Sequence, residues 1–214
     1  MALARLFTTL GDLIIRRLGD TGGPPSSRVS SELDGIITYI NDNLPVCLYT
    51  NTGIGTLSNS AAETSVFTLL TGSTGSTRQI DANSAKVGTA LRIFLFGSVN
   101  STGTPNLTFK TKYGATTVGN TTGALANNTA GHFYMLCEFA FHAIGASGTL
   151  ANFNFFEYAA TANGAVTPLR ISGSPGTVTV DTTVNSNLDL TFQFGAASAS
   201  NNINIYGLHI LRMR

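Results

Sequence analysis

Residues 132–143, HFYMLCEFAFHA, alternate so strictly that they constrain the rest of the chain. Phe133, Met135, Cys137, Phe139 and Phe141 fall on one side of an extended segment. His132, Tyr134, Leu136, Glu138, Ala140 and His142 fall on the other. A period of two puts successive side chains on opposite faces of a β-strand, so the first set predicts a core face. The second set is neither fully polar nor fully apolar. Residues 107–113 set Leu107, Phe109 and Tyr113 against Thr108, Lys110 and Lys112, and residues 153–158, FNFFEY, carry aromatics on both faces. Strands with two partly apolar faces call for a second partner surface, here association through the sheet itself.

The same period recurs along the chain. CLYTN, TSVFTLL, LRIFLFG, NLTFKTKY, TLANFNFFEYAA, TPLRIS, TVTVD, LDLTFQF and INIYGLHILR are further candidate strands, separated by clusters such as GSTGST, NSTGTPN and TANGA. About ten short strands with regular turn signals predict a mainly β fold, an antiparallel jelly-roll-like sandwich. It is expected over residues 46–214. The composition agrees: 43% of residues are hydrophobic, enough for a core, while only 11% are charged. That is under half the usual charged share. Thr, Ser, Asn and Gly must supply the polar surface, a composition suited to packed assemblies.

Residues 1–45 follow a different period. Leu3, Leu6, Phe7, Leu10, Ile14 and Leu18 recur at spacings of three and four, the stripe of an amphipathic helix. Such a stripe must be buried, and docking on a neighbouring subunit is the expectation. GDTGGPPSS cannot continue a helix and reads as a hinge. Ser26 or Ser27 can cap a second helix. There Val29, Leu33, Ile36 and Ile40 form an a/d seam. Gly35 costs that helix about 1 kcal/mol, and so short a helix is marginal alone. A narrow seam makes sense if copies associate, and an Ile-rich one favours three strands. Pro45 closes it. The expected organisation is an anchor, hinge and short coiled-coil stalk over 1–45, then a knob over 46–214. MALARLFTTLGDLIIRRLGD lacks an uninterrupted apolar run, so it reads as retained rather than as a signal peptide, and as too polar to span a bilayer.

Little in the sequence points to reaction chemistry. The net charge of +1 gives no electrostatic case for nucleic acid or for a charged membrane. Cys47 and Cys137 stand alone in apolar runs and read as buried free thiols, with no zinc spacing. His132 and His142 share a strand face but lie about 33 Å apart along it, and His142 could meet His209 only across strands. Glu138 and Glu157 lie on strands that could pair around GASG, the minimum for glycoside hydrolysis. Any β-protein with a few acidic residues offers such a pair by chance, and Asp81, Asp181 and Asp189 stand at no diagnostic spacing. No Gly-x-Ser-x-Gly elbow is present, and GSTGST lacks the Lys-Ser/Thr of a phosphate loop. Asn100, Asn106, Asn120 and Asn127 begin Asn-x-Ser/Thr sequons, which an Asn/Thr-rich composition produces by itself. The expectation is no enzyme and no cofactor.

From about residue 64 to 214 the chain resembles a β-rich domain of tailed-bacteriophage virion proteins. The resemblance rests on ALRIFLFGSVNSTGTPNLTFKTKYGATTV, then HFYMLCEFAFHAIGASGTL, then TVTVDTTVNSNLDLTFQFGAASASNNINIYGLHI. It is a layout of strands and turns rather than a set of catalytic residues. It implies a jelly-roll-like knob, usually trimeric, displayed on a virion assembled in the host cytoplasm. The leading expectation is therefore a capsid decoration protein or short head fibre. Its partners would be two further copies of itself and the major capsid or other virion proteins. The alternative is a tail fibre or receptor-binding protein that recognises a host glycan. Sugar binding uses exposed aromatics with amide groups. The loops here are rich in Asn and Thr but poor in aromatics, and the chain has no Trp. That, with the short stalk, weighs towards the capsid.

Overall fold

The structure, a computed structural model, describes residues 46–51, 53–70, 78–159, 169–172 and 176–213. The expected anchor (Leu3, Leu6, Phe7, Leu10, Ile14, Leu18) and stalk (Val29, Leu33, Ile36, Ile40) lie outside the described residues.

The described part is an antiparallel β-sandwich, as the alternation predicts. In chain order its elements are β1 (Val46–Asn51), β2 (Gly55–Ser58), β3 (Thr64–Ser65), α1 (Val66–Leu69), β4 (Gln79–Ile80), β5 (Ala90–Ser101), β6 (Asn106–Tyr113), β7 (Thr116–Ala124), β8 (Asn128–Ala143), β9 (Gly148–Ala159), β10 (Leu169–Ser172), β11 (Gly176–Val180), β12 (Ser186–Phe194) and β13 (Asn202–Met213). The large sheet runs β1-β13-β5-β8-β9-β10, with β2 also on β13 and β11 also on β9. The small sheet runs β3-β12-β6-β7, with β4 also on β12. The chain crosses from β5 to the β6–β7 pair and returns as β8, which lies beside β5. It crosses again from β11 to β12 and returns as β13 on the other side of β5. These two excursions place β8 and β13 on either side of β5, a central strand.

Alternation sets the core. Phe133, Met135, Cys137, Phe139 and Phe141 are all buried, as are Leu107, Phe109 and Tyr113 of β6 and Phe192 and Phe194 of β12. Phe156 of β9 fills the space between sheets: its ring centroid lies 5.5 Å from Phe133, stacked, and 5.7 Å from Phe109. Burying one such side chain contributes about 1.5–3 kcal/mol.

One local expectation is corrected, and three strands join those expected. TSVFTLL is not one strand. It is the two-residue β3 followed by the single turn α1. The turn swings Val66 fully into the core, while Thr68 Oγ1 donates to the Ser65 carbonyl at 2.7 Å. The longest of these strands, β7, TTVGNTTGA, is one that hydrophobic alternation does not reveal. It is an edge strand with one buried apolar side chain, Val118. Its inward Gly119 faces polar groups rather than hydrocarbon: a Cβ there would lie 2.0 Å from Asn154 Nδ2 and 2.3 Å from Asn152 Oδ1. The short β2 and β4 are the other two, placed by pairing with β13 and β12.

Candidate functional site

The outer face of the large sheet is where the second, mixed set of side chains goes. Register aligns them in cross-strand rows. Phe96 of β5 pairs with Tyr134 of β8, which pairs with Glu157 of β9. Phe94 pairs with Leu136, and Leu136 with Phe155. Arg92 pairs with Glu138, and Glu138 with Phe153. Neighbouring strands lie about 4.8 Å apart, so each row is a contiguous strip. Aromatic side chains remain open on it: Phe96 is 44% exposed, Tyr206 41%, Phe153 40% and Tyr134 39%. Large apolar groups left open on a sheet face make it the candidate interaction surface.

Two features of β13 shape one corner of this face. The β13–β5 register slips between Ile205 and Gly207. A bulge of this kind leaves an extra residue and re-aims its side chain. Tyr206 is that residue, and its hydroxyl shares a 2.9 Å hydrogen bond with Ser98 Oγ. Next to it, Gly207 leaves room for a neighbour. A Cβ at Gly207 would lie 2.4 Å from Phe96 Cε1 and 2.5 Å from Cζ, so the Phe96 ring lies over this glycine. Hydrogen bonds continue along the corner. Asn204 Nδ2 donates to Ser98 Oγ at 3.1 Å, and Thr56 Oγ1 donates to Asn204 Oδ1 at 2.9 Å. His132 of β8 pairs with Ser98 and is exposed.

The charges on the face are tied down. Arg92 donates to Glu138 Oε2 from Nε at 2.8 Å and from Nη2 at 2.6 Å, and its guanidinium lies 5.9 Å from the Phe94 ring centroid. Phe94 and Tyr134 meet at 6.3 Å between centroids. Burial pushes the Tyr134 phenol up from its usual value, and the Arg92 cation partly offsets this. Tyr134 therefore stays a neutral hydrogen-bonding group at physiological pH.

The residues considered for reaction chemistry do not converge. Glu138 pairs with Phe153 and Glu157 with Tyr134. Four residues of strand, about 13 Å, separate them, and Glu138 is bound to Arg92. His209 pairs with Phe94 on β5, which pairs with Leu136 on β8, so a strand intervenes between His209 and His142. His209 Nδ1 instead shares a 2.7 Å hydrogen bond with Thr50 Oγ1. Asp81 accepts from Gln79, Asp181 accepts from Thr183, and Asp189 accepts from Ser65. Among the described residues no group of three His, Cys, Asp or Glu side chains could hold a metal. Both cysteines are free thiols, but only Cys137 is buried. Cys47 is exposed on the edge strand β1, which corrects the expectation that both are core residues.

Sequence reading looked for exposed aromatics on loops, and the structure puts them on strands. The signal was present in LRIFLFG, whose alternate residues Phe94 and Phe96 oppose Ile93 and Leu95. The Tyr-Gly pair inside INIYGLHILR marks the bulge.

No protein-family model matches the sequence. No curated protein matches it either. Among solved structures the chain is similar to the CBM2 module of the evolved Dit of Lactobacillus casei BL23 phage J-1, with 12% identity, 78% of this chain and 95% of that chain covered, and a TM-score of 0.30. It is also similar to the alginate lyase from Klebsiella pneumoniae, with 8% identity, 64% of this chain and 65% of that chain covered, and a TM-score of 0.25. At these scores neither likeness carries an argument about function.

Proposed function

We infer that this chain is a structural virion protein of a tailed phage, a capsid decoration protein or short head fibre, in which the sandwich is a displayed knob and the outer face of its large sheet is the working surface. The observation that carries the reading is that face, with Phe96, Tyr134, Phe153 and Tyr206 each about two-fifths open on a rigid sheet. Residues 1–45 supply the mount: the stripe from Leu3 to Leu18 docks on the major capsid or another virion protein, and the seam from Val29 to Ile40 joins three copies. Composition supports this, since 11% charge suits a protein that lives in an assembly. Co-sedimentation with purified particles tests the reading. The wild-type chain is expected to travel with the virion. A variant with Leu6, Leu10 and Ile14 replaced by Ser is expected to fold and remain in the supernatant. A wild-type chain absent from washed particles would overturn the proposal.

A second reading, a tail fibre or receptor-binding protein that recognises host glycan, gains support from one observation. The exposed aromatics that the loops lack are present on β5, β8 and β13, bordered by neutral hydroxyl and amide groups.

A further inference from the structure

We propose that the corner formed by Phe96, Tyr134 and Tyr206 is a binding platform for a neutral oligosaccharide. The proposal rests on the reading that the outer face is the working surface. It holds whether the knob sits on the shell or on the tail.

The geometry carries it in three steps. First, the platform is open and held in place. Phe96 rests on Gly207, Tyr134 is its cross-strand neighbour, and the bulge holds Tyr206 outward with its hydroxyl tied to Ser98. The rings belong to β13, β5 and β8, so they span two strand spacings, about 10 Å, comparable with two linked sugar rings. Aromatic rings fixed this way present contact area at little cost in conformational entropy. The C–H faces of a pyranose complement such rings.

Second, the border suits hydroxyls. Tyr206 Oη, Ser98 Oγ, Asn204 and Thr56 form one hydrogen-bonded chain. The Tyr206 hydroxyl and the Asn204 amide each have more donor and acceptor positions than these bonds use. They can meet sugar hydroxyls in both senses. A second copy of this chain seated on the corner would instead have to fill those positions or leave them buried and unmet, at a cost per group.

Third, the corner offers an anion no charge of its own. Its side chains, Phe96, Tyr134, Tyr206, Ser98, Asn204 and Thr56, are all uncharged. Arg92, a cation two rows away, is held by Glu138. A phosphate or polyuronate would find no guanidinium fork among these groups.

The test uses the full chain. Neutral oligosaccharides of glucose, galactose, mannose and N-acetylglucosamine, with an acidic polyuronate for comparison, are titrated by calorimetry and by saturation-transfer NMR. Saturable binding to at least one neutral oligosaccharide is expected, with the polyuronate weaker. Phe96→Ala and Tyr134→Ala are each expected to weaken binding about tenfold or more. Tyr206→Phe keeps the ring and is expected to cost less, and Val184→Ser, at a distant loop, nothing. Circular dichroism confirms that each variant is folded, and Tyr206→Phe preserves a readout if a truncation fails to fold. Three results would overturn the proposal: no saturable binding to any neutral probe, tighter binding of the polyuronate, or dissociation of an oligomer by Phe96→Ala without sugar binding by the wild type. The last would give the face to a second copy. Co-sedimentation with particles is read separately, so failure here and failure of the virion reading remain distinguishable.

Discussion

The Phe96 ring occupies the space that a side chain on Gly207 would need, and Phe96 is the neighbour such a side chain would strike. The two residues are partners across β5 and β13. Glycine inside a strand gives up packing, and here the ring covers the gap. Gly207→Ala is therefore expected to destabilise the fold by about 1–3 kcal/mol, the usual cost of overpacking. The penalty should nearly vanish in a Phe96→Ala background. A double-mutant cycle by urea unfolding measures this, and additive penalties would show that the contact does not matter.

Gly119 should be less forgiving. Its neighbours are Asn152, Asn154 and Thr111, all buried between the sheets. Asn152 Nδ2 donates to Asn154 Oδ1 at 3.2 Å and to Thr111 Oγ1 at 3.4 Å, while Asn154 Nδ2 is buried without a hydrogen-bond partner. Gly119→Ala must displace at least one amide from this cluster. A loss of about 2–4 kcal/mol is expected, larger than at Gly207 because no side chain there can swing into solvent. Thermal unfolding of the two variants side by side checks the ranking.

Acid should loosen the segment that leads into β3. Glu63 accepts from Lys110 at 2.5 Å, from Lys112, and from Thr191 Oγ1 at 3.1 Å. The Lys110 and Lys112 hydrogen bonds hold its carboxyl at about 2, against 4.5 for a free side chain. A lowered pKa stabilises the fold fully above the unfolded value. That contribution is lost as pH falls from about 4.5 towards about 2. The carboxylate is at the surface, so the effect should be about 1 kcal/mol or less. Glu63→Gln is expected to remove that much of the acid dependence while leaving the slope above pH 5 unchanged, as read from urea midpoints across pH.

The thiols should separate cleanly. Cys137 is fully buried, and burial pushes its pKa well above the usual range. Cys47 is exposed. Of the two cysteines, Cys47 alone is expected to react with a thiol reagent in the native protein, and Cys137 only after unfolding. Mass spectrometry of the labelled peptides distinguishes them.

Much of the sandwich was legible because burial imposes alternation. Phe133 to Phe141 on β8 and Leu107 to Tyr113 on β6 announce both their strands and their inward faces, and Phe153 and Phe156 do fall on opposite sides. The edge strand β7 was not legible, because its inward Gly119 meets polar groups of β9 and β6 rather than a hydrocarbon surface, and its buried Thr121 is itself polar. The helical turn at Val66 was hidden for another reason. Its residues have strand propensity, and the chain turns there between β3 and β4, which both pair with β12. The candidate site was half legible. The mixed face of β8 matches an outer sheet face with open aromatics, but its corner depends on the β13–β5 bulge. Nothing local to Tyr206 says that the register slips, or that Phe96 will lie over Gly207. The separation of Glu138 from Glu157 is equally a matter of register.

The central claim is that this sandwich is displayed on a virion. The most direct measurement is electron microscopy of native particles labelled with antibody fragments raised against residues 46–214. Label at regular positions on the shell is the expected result, and label at the tail would select the receptor-binding form of the same claim. Particles of every kind left bare, with the protein recovered only free of virions, would contradict it.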